Sequence, residues 1–123
     1  VVEDNVVNQK VLIRYLSKQG HSVTIAENGY LAIEAFETKL FDLVLMDLQM
    51  PEMDGLTATR YIRELEAEAI IKTPIVAVTA HATGSDEEAC YEAGMDDFIV
   101  KPFTPKKLNA VLRTATVKRN QAL

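Results

Sequence analysis

Four short apolar runs in this chain each deliver a residue that could do chemistry. Val1-Val2 runs into Glu3-Asp4, Leu43-Val44-Leu45-Met46 into Asp47, Ile75-Val76-Ala77-Val78 into Thr79, and Phe98-Ile99-Val100 into Lys101. Hard divalent cations such as Mg2+ take oxygen ligands in near-octahedral geometry and keep several waters. Asp4 and Asp47 could each supply one oxygen, with a backbone carbonyl of the loop after Asp47 as a third. Without a cation, clustered carboxylates repel one another and tend to hold protons. Lys101 would neutralise part of the charge on a bound phosphoryl group as a point donor, and Thr79 could hydrogen-bond a phosphoryl oxygen. Phosphoryl transfer asks mainly for such positioning and neutralisation, and a carboxylate can take the group as an aspartyl-phosphate. These residues suffice for a phosphoryl-accepting site if the fold brings them to one place.

The elements that must do so can be read between them. The runs 43–46 and 75–78 are continuously apolar, as in parallel strands covered on both faces. Val1-Val2 reads as the tail of a first strand, Ser22 to Ala26 as a second, and Phe98 to Val100 as the last. Between the strands the apolar spacing is helical. Val7, Val11 and Tyr15, with Leu12 and Leu16 beside them, predict one apolar face of a helix closed at Gly20. A turn at Asn28-Gly29 precedes a helix over 31–38, and another covers 56 to about 68 after a loop from Leu48 to Gly55. Ser85 and the acids behind it predict a helix start that stops near Gly94. A last helix begins after Thr104 with Pro105 in its first turn. Strands alternating with helices predict an α/β fold, a doubly wound five-stranded parallel sheet with five helices in three layers. Open parallel sheets bind ligands beyond the carboxyl ends of their strands, which is where Glu3-Asp4, Asp47, Thr79 and Lys101 fall.

Composition narrows the classes. At 123 residues, 48% hydrophobic and 25% charged, the chain is sized and composed as one globular domain over 1–123 rather than a disordered segment. Thirteen basic residues against eighteen acidic ones argue against nucleic acid as its main partner. No apolar run approaches the roughly 18 residues of a membrane span, and the single cysteine, Cys90, rules out an internal disulfide framework. A cytoplasmic setting follows as the expectation. The chain opens at Val1, without Met and already inside an apolar segment, so the first strand reads as truncated and the whole as a piece of a longer protein.

With the motifs in order, the sequence resembles the receiver domain of two-component response regulators. The stretches that carry the resemblance are Val1-Val2-Glu3-Asp4-Asn5, Asp47-Leu48-Gln49-Met50-Pro51-Glu52-Met53-Asp54-Gly55, Val78-Thr79-Ala80 and Lys101-Pro102-Phe103. The resemblance implies a flavodoxin-like sheet of order 2-1-3-4-5 and a role for each matching position. Asp47 is the phosphoacceptor. Asp4, Asp47 and the backbone carbonyl of Gln49 are Mg2+ ligands, and Glu3 acts through a metal-bound water. Thr79 is the switch hydroxyl, Ala80 offers its N–H and Lys101 its ammonium to the phosphoryl group, and the Lys101–Pro102 bond is commonly cis. Phe98 stands where an aromatic changes rotamer on phosphorylation. Gln49 and His81 flank the phosphoryl group and tune its hydrolysis.

The run Glu3-Asp4-Asn5 with Asn8-Gln9 looks like receivers of hybrid sensor histidine kinases. It implies as partner a histidine kinase dimerisation domain or a histidine phosphotransfer protein, in the cytoplasmic part of a membrane-bound sensor kinase, and it also admits dimerisation on phosphorylation. The domain by itself would be no enzyme beyond self-phosphorylation and autodephosphorylation. The rival is a metal-dependent phosphohydrolase with an aspartate nucleophile. Such enzymes usually carry a second acid two residues after the nucleophile, where this chain has Gln49, and 123 residues leave little room for a substrate cap.

Overall fold

The structure, a computed structural model, describes residues 1–50, 53–69, 72–80 and 83–122. Its elements follow in the order α1 (Val6–Lys18), α2 (Gly29–Thr38), β1 (Val44–Asp47), α3 (Gly55–Leu65), β2 (Ile75–Thr79), α4 (Gly84–Ala93), β3 (Asp97–Val100) and α5 (Pro105–Ala122). The strands form one parallel sheet, β1 beside β2 beside β3, with Asp47 opposite Val78 and Thr79 opposite Val100.

Five strands are expected from the sequence, and three form among the described residues. The other two segments shrink to single bridges, Val2 to Ala26 on one side and to Met46 on the other, both parallel. Val2 N–H donates to the Leu45 carbonyl (2.8 Å), and Asp47 N–H to the Val2 carbonyl (3.0 Å). On the other side Glu3 N–H reaches the Ala26 carbonyl and Ala26 N–H the Val1 carbonyl, both at 3.0 Å. The lateral order 2-1-3-4-5 is therefore kept. Val2 thus sits between two partners with one bridge to each, the Val1 amino group reaches the Thr24 carbonyl at 2.9 Å, and the chain turns at Asn5 into the cap of α1.

The apolar runs divide between two cores as alternation in a strand requires. Val44, Met46, Ile75 and Ala77 pack on one face with Ala32, Ala58, Ile62, Cys90 and Met95 from the side of α2, α3 and α4. Leu45, Val76, Val78 and Ile99 pack on the other with Leu12, Leu16 and Leu108 from α1 and α5. This is the predicted three-layer arrangement. The buried stripe of α1, however, is Gln9, Leu12 and Leu16, while Val7 and Val11 are 68% and 62% exposed. Leu12 and Leu16 set the inward direction, and Val7 and Val11 lie on the opposite side of the helix.

Side chains cap the helices: Asn5 accepts from Asn8 N–H, Asn28 from Leu31 N–H, and Asp54 from Thr57 N–H. The cap of α4 is Thr83, accepting from Asp86 N–H at 3.2 Å, rather than the expected Ser85, because the helix starts at Gly84. Gly94 ends α4 at φ 106°, a left-handed backbone that suits glycine. Among the described residues no helix is long and apolar enough to cross a membrane.

Candidate functional site

The parallel sheet sends Asp47, Thr79 and Lys101 out at the carboxyl ends of β1, β2 and β3, and the Val2 bridge sets Glu3-Asp4 beside them. Glu3, Asp47 and Thr79 are 2%, 5% and 4% exposed, whereas Asp4 is exposed. Oxygens of Glu3, Asp4 and Asp47 lie within 4.8 Å of one another. Lys101 Nζ donates to Glu3 Oε1 at 3.0 Å and to Asp47 Oδ2 at 3.3 Å. Asp47 Oδ1 accepts the Gln49 N–H at 3.0 Å. The backbone closes around this: Leu48 N–H donates to the Val78 carbonyl, Lys101 N–H to the Thr79 carbonyl (2.7 Å), and the Lys101–Pro102 bond is cis. Gly55 lies against the Asp47 carbonyl and within 3.0 Å, measured from the Cβ it lacks, of Leu48 Cα, so α3 can start this close to the strand end only with glycine there.

One ammonium cannot compensate three acids in a partly dry site. Burial first, and the neighbouring Glu3 second, push Asp47 up to about 6, against the Gln49 N–H and the Lys101 charge, which pull it down. Burial also works to raise Glu3, but its hydrogen bonds with Asp47, Lys101 and the Asn5 N–H outweigh that and hold it at about 2. Lys101 is raised overall: burial lowers it, and bonding to Glu3 with the charge of Asp47 overcomes that. The direction is that of two like charges sharing one site, with Glu3 keeping its charge and Asp47 the one that holds the proton. A hard divalent cation relieves the repulsion, and a donor set of carboxylate oxygens is what such a cation takes.

The structure thus brings together Glu3, Asp4, Asp47, Thr79 and Lys101. Gln49 contributes its N–H and leaves its side chain exposed, and Ala80 is exposed at the end of β2. Phe98 lies back from the acids, opposite Ala77 and half-buried against the core of α2, α3 and α4. Pro51, Glu52 and His81 lie outside the described residues. Three residues outside the expected site set hold Glu3. Asn5 N–H reaches its Oε2 (3.3 Å), Asn8 Nδ2 its Oε1 (3.1 Å), and buried Gln9 donates through Nε2 to its backbone carbonyl (2.7 Å). Their signal was the uncharged polar pair Asn8-Gln9 in the first turn of the helix, directly after the acids. A groove of about 570 Å3 bounded by Val1, Leu16, His21 and Phe41 contains none of the candidate residues.

Comparison with known proteins places the chain in a family. The profile of the response regulator receiver domain matches residues 1–113, and the chain belongs to that family. It is 46% identical over 123 residues to hybrid signal transduction histidine kinase I of Dictyostelium discoideum, covering 96% of this chain and 7% of that protein. It is 42% identical to sensor histidine kinase GacS of Pseudomonas protegens, covering 98% of this chain and 13% of that one. The chain therefore spans a small part of the curated relatives it matches. Among solved structures it resembles the receiver domain of a sensor histidine kinase from Pseudomonas aeruginosa PAO1, which has a magnesium ion coordinated in its active site cleft. That likeness has a TM-score of 0.83 and 40% identity, over 94% of this chain and 93% of that one. A receiver domain protein from Methanospirillum hungatei shares the fold at a TM-score of 0.88 and 22% identity, covering 98% of this chain and 93% of that one. The chain is a receiver domain of two-component signalling, and its homologues are hybrid sensor kinases.

Proposed function

We propose that residues 1–123 act as one phosphorelay unit in which Asp47 accepts a phosphoryl group from a phosphohistidine. The observation that carries this reading is the Glu3–Asp4–Asp47 cluster with Lys101 bonded across it. Asp4, Asp47 and the Gln49 carbonyl would hold Mg2+, with Glu3 acting through a water. When bound, Mg2+ supplies positive charge against which carboxylates and phosphoryl oxygens can approach each other.

A carboxylate oxygen of Asp47 attacks phosphorus, the bond from phosphorus to the imidazole nitrogen breaks, and its electron pair stays on that nitrogen. The Gln49 N–H on Oδ1 fixes the carboxylate plane, leaving the Oδ2 side to react. Lys101 Nζ, already at Oδ2, exchanges a carboxylate for a phosphoryl oxygen. The Ala80 N–H and the Thr79 hydroxyl supply further donors at the end of β2. Drawing Thr79 and Lys101 toward the phosphoryl group, with Phe98 repacking, biases a two-state equilibrium that partners read. Gln49 and His81 set how water reaches the acyl phosphate.

The donor would be a histidine kinase dimerisation domain or a histidine phosphotransfer protein, and the parent a hybrid histidine kinase working on the cytoplasmic side of a membrane. The chain alone would phosphorylate and dephosphorylate itself and turn over no other substrate. Intact-mass spectrometry after incubation with acetyl phosphate and Mg2+ tests this. One added phosphoryl group, absent in Asp47→Asn and in excess chelator, is expected; labelling that survives Asp47→Asn would overturn the assignment.

A further inference from the structure

Glu3 is gripped from the first turn of α1 as well as from Lys101. Asn8 Nδ2 donates to Glu3 Oε1 at 3.1 Å, the same oxygen that Lys101 Nζ reaches at 3.0 Å. Asn8 owes its side chain to nothing in the helix itself, because the cap is Asn5, whose Oδ1 takes the Asn8 backbone N–H. The backbone under Glu3 is pinned separately by Gln9 Nε2 on its carbonyl at 2.7 Å, and Oε2 faces the Asn5 N–H. Oε1 therefore takes two side-chain nitrogen donors among the described residues, Asn8 and Lys101, and Lys101 is already divided. Lys101 also reaches Asp47 Oδ2, and on the reading given under Proposed function it turns to a phosphoryl oxygen once Asp47 is modified. Its flexible stem lets the ammonium follow the phosphoryl oxygen, so its hold on Glu3 would loosen as it moves. A side-chain amide on a helix anchored by its own cap has no such competing duty.

We propose that Asn8 is a positioning residue for the Mg2+ and phosphoryl site: it holds the Glu3 carboxylate in place when Lys101 lets go of it. Hydrogen bonds to an ionised acceptor are the strong ones, and groups that orient a metal site from behind its ligands commonly matter about as much as tenfold or more in affinity. Asn8 touches neither cation nor phosphoryl group in this scheme and acts only through Glu3. The inference rests on the proposed phosphoryl-accepting role, and the experiment separates the two.

Mg2+ binding to the full chain is measured by titration calorimetry for the wild type, Asn8→Leu, Lys101→Ala and the double variant. Leucine keeps the size of the side chain, favours a helix more than asparagine does, and removes the donor; Asn8→Ala gives the same comparison if leucine impairs folding, which circular dichroism reports. The expected result is a small loss for Asn8→Leu while Lys101 still covers Oε1. In the Lys101→Ala background, where Asn8 is the remaining side-chain donor to that oxygen, the loss is expected to grow to about tenfold. The Asn8 side-chain amide resonances, assigned by their disappearance in Asn8→Leu, are expected to shift as Mg2+ is added to the wild type. Equal affinity with and without Asn8 in the Lys101→Ala background, together with unmoved amide resonances, overturns the role of Asn8. No Mg2+ binding by the wild type overturns the metal site itself.

Discussion

Lys101 Nζ stands 3.3 Å from Asp47 Oδ2 while its shorter bond, 3.0 Å, goes to Glu3. The lysine is thus committed to the acid that keeps its charge and only leans on the one proposed to react. Asp47 is the more basic of the two carboxylates, raised by burial and by its neighbour Glu3. Lys101 adds to the inequality of two acids that share one hollow, after burial and their own mutual contact.

The pH response of stability follows from that inequality. Unfolded, the two acids titrate near their ordinary values of 4.5 and 3.8; folded, Glu3 sits at about 2 and Asp47 at about 6. Asp47, raised on folding, stabilises the fold at low pH and loses that contribution as pH rises toward 6. Glu3, lowered on folding, contributes above its ordinary range and loses that as pH falls toward 2. The pair is therefore expected to favour the fold most near pH 4 in chelator, with stability declining from there to pH 6. Saturating Mg2+ should flatten the decline, because its binding releases the Asp47 proton. Urea unfolding across pH 4 to 7, with and without Mg2+, checks this. A decline that survives in Asp47→Asn would assign it to other groups.

Lys101→Ala should separate binding from switching. Removing the ammonium takes away a positive charge that competes with a cation for Glu3 and Asp47, so Mg2+ affinity is expected to hold or rise. Phosphorylation by acetyl phosphate should persist, while the affinity for a phosphotransfer partner should no longer change with phosphorylation. Titrations of the phosphorylated and unphosphorylated variant against such a partner give the readout. A normal phosphorylation-dependent change in the variant would remove Lys101 from the switch.

Much of the site was legible because a buried parallel strand has a simple signature. A run apolar at every position needs cover on both faces, and its first polar residue marks the end where ligands bind. Asp47, Thr79 and Lys101 each sit at that step. The second segment was less accessible: Ala26 bonds only beside Val2, and the length of a ladder depends on its partner, which local alternation does not report. Val7 and Val11 were assigned to the core because their spacing is helical, but spacing leaves open which side of a helix faces in. Asn8 and Gln9 stood out only as part of a family-like run, and their hold on Glu3 was not legible for a related reason: a polar residue in a helix reads as solvated until its neighbour across the turn is known to be a buried acid.

Gly55→Ala should disturb the site from the backbone side. A Cβ there would overlap the Asp47 carbonyl and stand 3.0 Å from both Leu48 Cα and Met46 Cγ. Two of these are backbone atoms of the very segment that aims Asp47, and they cannot yield as a flexible side chain does. The expected cost is about 1–3 kcal/mol, the usual range for overpacking, with a lower yield of phosphorylation at fixed Mg2+. Thermal unfolding and intact-mass spectrometry measure the two effects. Unchanged values for both would mean that the start of α3 shifts freely without moving Asp47.

Arg63 offers the converse case, a charged network whose loss should spare the site. Its Nε donates to the Gly94 carbonyl at 2.8 Å, Nη1 to Glu66 Oε1 at 2.6 Å and to the Thr73 carbonyl at 2.8 Å, and Nη2 to Asp96 Oδ2 at 2.9 Å. The acids are tied in turn to the chain entering β2: Glu66 Oε2 accepts the Thr73 N–H at 2.7 Å and Asp96 Oδ2 the Ile75 N–H at 2.9 Å. One guanidinium thus joins the end of α3, the left-handed turn after α4 and the start of β2, at the amino ends of the strands and away from Asp47. Arg63→Ala would leave the Glu66 carboxylate buried without its cation, and removing one partner of such a pair is costly. Asp96 is 39% exposed in its side chain, so water softens its share. The expected loss is about 3 kcal/mol, the lower end of the range for breaking a buried pair, only partly recovered in Arg63→Lys because an ammonium cannot reproduce the fork of donors. Mg2+ affinity is expected to stay within about twofold of the wild type, since additivity holds for sites that share no partners. Chemical unfolding and Mg2+ titration of both variants decide the matter. A large fall in Mg2+ affinity in still-folded Arg63→Ala would show that the two ends of the sheet are coupled.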